Sequence, residues 1–195
     1  MVSEKHVFVC RSDIKEDMPY ERKKAMIREA TKQDVAYILD IYNDAILYTT
    51  AVYTYKPVTL ENRIDWYETK KAEGYPILVY ELDNKVVGFA TFGPFRAWPA
   101  YKYSIEHSVY VHKEYRKNKI GTSLMKALIT VAKEREYMTL IAGIDAENEK
   151  SIALHENYGF VHAGTIKKAG YKFNKWLDLA FYQLELCGPK KPLEE

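Results

Sequence analysis

The chain has 195 residues, 47% of them hydrophobic and 29% charged, which suits one globular domain with a substantial core. A formal net charge of +2 is too small to argue for a nucleic-acid partner, and no apolar run approaches membrane-spanning length. The two cysteines, Cys10 and Cys187, lie at opposite ends with no metal-ligand spacing and no disulfide framework, so a reducing, cytoplasmic setting is expected.

In chain order, residues 1–25 read as an N-terminal extension. His6–Cys10 suits a short strand, and the charged stretch Arg11–Lys24 carries Pro19. Acids close to Met1 and a short apolar patch do not make a secretory leader. Met26–Ala30 reads as the first core strand, and Thr31 as an N-cap with Asp34 in the first turn. Val35, Ile38, Leu39, Tyr42, Ala45 and Ile46 then recur on one helical face. Tyr48–Pro57 reads as a loop and Val58–Ala72 as a second helix capped near Thr59. Pro76–Tyr80 and Val86–Phe92 read as strands joined by a tight turn at Asp83-Asn84. Phe95–Tyr103 is a loop with aromatic anchors and Arg96.

The most informative stretch runs from Glu106 to Gly121. Its first half alternates as a strand does, with Ile105, His107, Val109 and Val111 on one face and Glu106, Ser108 and Tyr110 on the other. A basic loop follows, Arg116-Lys117-Asn118-Lys119. Ile120, Leu124, Met125, Leu128 and Ala132 then recur at helical spacing. Strand, basic loop and helix start make an anion site, because the first helical N–H groups lack intrahelical partners and the dipole adds positive charge. The spacing is neither a Walker A loop nor Gly-x-Gly-x-x-Gly.

The remaining elements are a buried strand over Met138–Ile144, a turn at Asp145–Asn148 and a helix over Glu149–Asn157. Antiparallel strands at Phe160–Ile166 and Trp176–Leu186 follow. Residues 188–195, with Pro189 and Pro192, form a tail. The resulting β-α-α-β-β-β-α-β-α-β-β order is a mixed α/β sheet with flanking helices.

Arg116-x-x-x-Ile120-Gly121 resembles the pyrophosphate loop of the GNAT family of N-acetyltransferases. Four further segments resemble its phosphinothricin and methionine sulfone acetyltransferase branch: Tyr42–Ala45, Thr49–Val52, Glu106–Val111 and Leu154–Phe160. The stretch Gly170–Asp178 is similar as well, and the likeness covers about residues 26–186. The resemblance implies an acyl-CoA N-acyltransferase fold over residues 26–187, a mostly antiparallel sheet whose central parallel strands splay to admit acetyl-CoA. It implies acetyl-CoA as cosubstrate and a small amino-acid-like amine as acceptor. A homodimer is implied too. His6, His107, His112 and His162 form no ligand-spaced set, so no metal is expected, and charge and hydropathy lead to no nucleic-acid or membrane partner. One departure is Lys119, where the family usually has Gly; its side chain is expected to face the cofactor phosphates, and a strained loop is the alternative.

Carried onto this chain, the resemblance makes Glu106 the general base for the acceptor amine. An ordinary strand glutamate would pair with a nearby lysine, but Glu is depleted in strands and this one sits among apolar neighbours. His155 is the second candidate, as an acid toward the departing thiolate or as a hydrogen-bond partner. Ser108, Val109 and Tyr110 would pair with the pantetheine arm as an added strand does. Arg116, Lys117, Asn118, Lys119, Ile120, Gly121 and Thr122 would hold the pyrophosphate, with Asn148 and Ser151 at the arm. Phe95, Arg96 and Tyr103 would bind the acceptor, with Arg96 on its carboxylate. A polyamine, aminoglycoside or protein N-terminus as acceptor, and a non-catalytic CoA-binding module, remain open at this level.

Overall fold

The computed structural model describes residues 24–194; the expected strand at His6–Cys10 and nearly all of the 1–25 extension lie outside that range. The described elements are β1 (Ala25–Glu29), α1 (Val35–Tyr48), α2 (Leu60–Ala72), β2 (Ile77–Leu82), β3 (Lys85–Pro94), β4 (Ser104–Val111), α3 (Ile120–Glu134), β5 (Thr139–Asp145), α4 (Glu149–Glu156), β6 (Val161–Lys172) and β7 (Lys175–Glu185). The strands form one sheet in the order β1-β2-β3-β4-β5-β7-β6. Every neighbouring pair is antiparallel except β4 with β5.

Local chemistry sets the helix starts. The Asp34 carboxylate accepts from the Thr31 amide at 2.7 Å, the Thr31 hydroxyl at 2.9 Å and Arg28 Nη1 at 2.7 Å, so the entry to α1 is capped and ion-paired at once. The Thr59 hydroxyl accepts from the Asn62 amide at 3.2 Å and starts α2 at Leu60. Val58, expected inside that helix, is excluded because Asn43 holds it from both sides. Asn43 Nδ2 donates to the Val58 carbonyl at 3.0 Å, and the Val58 amide donates to Asn43 Oδ1 at 2.9 Å.

Two hairpins close on residue pairs with positive φ, Asp83-Asn84 (51° and 63°) and Phe173-Asn174 (51° and 59°), the twist that two-residue turns require. The second hairpin makes β6 longer than its expected end at Ile166. Its register shifts between Ile166 and Gly170, where Asp178 accepts from the Lys168 amide at 2.8 Å and pairs with Lys167 at 2.9 Å.

The sheet carries a core on each face. Leu124, Met125 and Leu128 of α3 pack with Phe92, Ile105 and Leu140 on one side; Ile38 and Ile41 of α1 pack with Tyr67, Ile77, Val79 and Phe89 on the other. Burial of each such aliphatic side chain is worth about 1.5–3 kcal/mol, so both helical layers are held firmly against the strands.

Candidate active site

The pairing of β4 with β5 lasts only from Ser104↔Thr139 to Glu106↔Ile141. Beyond that point β4 stays paired to β3 as far as Val111, and β5 stays paired to β7 as far as Asp145. The two central strands therefore part while each remains anchored on its outer side. Their facing backbone groups after Glu106 and Ile141 have no strand partner there, and an added extended chain satisfies such groups. A cavity of about 320 Å³ occupies the opening. Ser108, Val109 and Tyr110 from β4, Gly121 from α3, and Asn148, Ser151 and His155 around α4 all line it. Glu106 lines it too, and also a second cavity of about 160 Å³ on the face of the sheet that carries α1 and α2.

Glu106 is half-buried at the end of the paired segment. Burial pushes its carboxyl upward from the usual value, and the positive charge of Arg96 works against that. Gly143 makes room for it, since a Cβ there would stand 3.0 Å from Glu106 Oε1.

His155 is buried, and its Nδ1 lies 2.6 Å from the Ser151 carbonyl. A carbonyl only accepts, so Nδ1 carries the proton and Nε2 is left as a bare acceptor without a protein partner. Burial holds this imidazole below its ordinary value, so the neutral form is favoured. His107 stacks on it and is held down to about 3 by burial and by its neighbour. Both ring nitrogens of His107 lack partners.

The basic loop ends in a helix start with no side-chain cap. Lys117 (φ 68°) and Lys119 (φ 58°, ψ 11°) both take left-handed backbone conformations. The Lys119 carbonyl accepts from the Ser123 amide at 2.9 Å, which opens α3. Asn118 Nδ2 donates to the Tyr115 carbonyl at 3.1 Å and so serves the loop itself. Ile120 is buried in the core, and the Thr122 carbonyl accepts from the Tyr158 hydroxyl at 2.7 Å. Arg116 is ion-paired with Asp44 of α1 at 3.2 Å and donates from Nε to the Val111 carbonyl at 3.2 Å, so its charge is shared within the protein. Asn148 spends its side-chain oxygen on the Ser151 amide at 3.2 Å, as the cap of α4.

Residues 35–160 match the Acetyltransferase (GNAT) family. The chain belongs to the GNAT family. It is similar to an Escherichia coli K12 protein named L-amino acid N-acyltransferase MnaT, 41% identical over 85% of this chain and 96% of that one. It is equally similar to a Salmonella typhimurium L-methionine sulfoximine/L-methionine sulfone acetyltransferase, 41% identical over 82% of this chain and 94% of that one. Among solved structures, a phosphinothricin acetyltransferase from Sinorhizobium meliloti in complex with AcCoA superposes with a TM-score of 0.81. That protein is 32% identical, over 83% of this chain and 88% of its own.

As a GNAT member the protein is an N-acetyltransferase, and acetyl-CoA is the donor this family uses. The donor set fits that molecule: unpaired strand edges in the β4–β5 opening for an amide-bearing arm, and an uncapped helix start beside Lys117 and Lys119 for phosphates. Among the described residues no group of three or more His, Cys, Asp or Glu is placed to hold a metal ion, and no helix is long and apolar enough to cross a membrane.

Of the residues expected at the acceptor, neither Phe95, Arg96 nor Tyr103 lines the two cavities. The Arg96 guanidinium stacks 4.0 Å from the centre of the Phe95 ring and donates to the Phe95 carbonyl at 2.8 Å, and its charge reaches Glu106. The Tyr103 hydroxyl accepts from the Leu193 amide at 3.0 Å, holding the C-terminal tail. Sequence reasoning missed Thr50, Ala51 and Tyr53, which reach the cofactor-side cavity from the α1–α2 loop, and His107, whose apolar-face position marked it as core.

Proposed function

We propose that the protein N-acetylates a small amine bearing a carboxylate, of the methionine sulfone, methionine sulfoximine or phosphinothricin type, with Glu106 as general base. One observation carries this reading: Glu106 stands where β4 and β5 part and faces both the cofactor-side cavity and the smaller cavity behind it. Bound acetyl-CoA supplies an activated thioester carbonyl. Glu106 takes a proton from the acceptor's ammonium, directly or through a water, and its raised affinity for protons suits that task. The freed amine then attacks the thioester carbonyl, the C–N bond forms as the C–S bond breaks, and the amine's second proton leaves with the CoA thiolate as free thiol. The splayed edge of β4 positions the donor's arm, and the start of α3 with Lys117 and Lys119 holds its phosphates. Arg96, exposed and close enough to act on Glu106, orients the acceptor carboxylate. His155, neutral and with Nε2 bare, serves as a hydrogen-bond acceptor in the cavity, the second of its two expected roles.

We assign the catalytic domain to residues 26–187, with 1–25 and 188–195 as flanking segments, and place the protein in the cytoplasm as a homodimer. The exposed Tyr171, Phe173 and Trp176 at the β6–β7 hairpin form an apolar tip that suits a second copy. Release of free thiol from acetyl-CoA against a panel of amino-acid analogues, polyamines, aminoglycosides and peptides tests the acceptor class. Turnover confined to carboxylated small amines is expected; turnover of polyamines or peptides alone overturns it.

A further inference from the structure

The smaller cavity contains an unusual pair of cations. Arg63 and Lys70 of α2 both line it, together with Tyr42, Trp66, Phe89, Thr91, Tyr110, Glu106 and Ser108. Arg63 is 5% exposed, and its Nε has no hydrogen-bond partner. Its guanidinium lies between two rings, 4.0 Å from the centre of Tyr42 and 4.5 Å from that of Trp66. Lys70 Nζ donates to the Phe92 carbonyl at 2.8 Å. It lies over Gly93, where a Cβ would collide with the ammonium, and Gly93 is the cross-strand partner of Glu106. An ammonium has three donors, so the Phe92 bond leaves others for a ligand.

Among the described residues neither cation forms an ion pair, although Arg28, Lys32, Lys71, Lys113, Arg116, Lys167 and Lys175 all do. Burial lowers the proton affinity of both groups, so each is held charged at a cost. Arg63 is buried and Lys70 half-buried, and Glu106, the one carboxylate lining the cavity, forms an ion pair with neither. A buried cation without a paired anion is expensive, so two facing one cavity suit an oxygen-bearing group from outside. The aromatic walls compensate Arg63 only in part, through its contact with the ring faces.

We propose that Arg63 and Lys70 form an oxyanion subsite of the acceptor pocket. It takes either the carboxylate or the side-chain sulfonyl or phosphinyl oxygens of an acceptor whose amine stands at Glu106. The assignment rests on the acceptor reading given above. It adds a second anchor distinct from Arg96, which lies exposed outside this cavity.

The test measures kcat and KM for L-methionine sulfone, L-methionine, L-phosphinothricin and methylsulfonylpropylamine with the wild type, Lys70→Met, Lys70→Arg and Arg63→Gln. Acetyl-CoA affinity by calorimetry checks that each variant is folded. Loss of a charge-assisted hydrogen bond predicts a rise in KM for L-methionine sulfone of roughly 10- to 100-fold in Lys70→Met and Arg63→Gln, with partial rescue in Lys70→Arg. Should the rise spare methionine, the subsite holds the side-chain oxygens. Should it extend to methionine and spare methylsulfonylpropylamine, the subsite holds the carboxylate. Unchanged KM values, or a uniform loss of kcat for all four acceptors, overturn the subsite while leaving the acceptor class intact. A wild type that acetylates none of the four removes the acceptor reading, and the subsite with it.

Discussion

The rings of His107 and His155 stack with centroids 5.1 Å apart and planes 26° from parallel, one from β4 and one from α4. Neither carries a charge comfortably, since both are buried and each would repel the other's proton. For His107 the folded-state value lies below the ordinary 6.5, at about 3. A depressed histidine gives stability that is present above the unfolded value and is lost as pH falls toward the folded one. The acid limb of stability should therefore steepen below about 6.5, and His107→Phe should flatten it in pH-dependent thermal melts. An unchanged acid limb in that variant would remove His107 from the acid response.

His155→Gln should lower turnover by less than about tenfold, the scale of one neutral hydrogen bond, because Nε2 accepts and does not donate in the neutral tautomer. Steady-state kinetics across pH check this. A loss of about 100-fold together with a displaced alkaline limb would restore the acid role.

Glu106→Gln should reduce kcat by roughly 100-fold or more, with acetyl-CoA affinity retained. Its effect on stability runs the other way. The folded-state carboxyl is raised, so its contribution is favourable below the unfolded value and declines as pH rises through the raised one. The variant should melt no lower than the wild type at neutral pH, and the gap between them should close on acidification. Retained turnover at neutral pH would dismiss Glu106 as the base.

At Lys119 the left-handed backbone is already present, so replacement by glycine relieves folding strain without preparing the loop any further for ligand. Lys119→Ala and Lys119→Gly should weaken acetyl-CoA to a similar degree, by loss of one charge, and the loss should shrink in high salt. The glycine variant should melt above the alanine variant, by roughly 1 kcal/mol of stability, because alanine keeps the disfavoured φ. Calorimetric titration and melting curves separate the two effects. Tighter binding by the glycine variant than by the wild type would mean that strain, not charge, governs the site.

Lys172 Nζ donates to the carbonyls of Ile46 at 2.6 Å, Thr49 at 2.8 Å and Val52 at 2.7 Å. It closes the end of α1 and pins the loop that brings Thr50, Ala51 and Tyr53 to the cavity. Lys172→Met should cost about 3 kcal/mol, for carbonyls stripped of a charged donor, and should raise KM for acetyl-CoA. A melt within a degree of the wild type would show that the loop holds without it.

Trp176→Asp should convert a dimer into monomers in light scattering, because it puts a charge into the exposed aromatic hairpin tip. A wild type that is monomeric at assay concentration would dispose of the interface.

The sequence by itself determined the strand–loop–helix around Glu106–Gly121, the alternation of β4 and the order of elements, because strand and helix periods and turn residues are local. It also marked Glu106 as anomalous, since an acid amid apolar strand positions is visible without a fold. Tertiary structure alone decided what those residues meet. Lys172 finds its three carbonyls 120 to 126 positions away in the chain, and Arg116 finds Asp44 72 positions away. The histidine stack needs β4 and α4 brought face to face, and the Arg63–Lys70 pocket needs α2 laid over β3 and β4. Periodicity tells which face of an element is buried; only packing tells which charged and polar atoms arrive there together and which of them lack a partner.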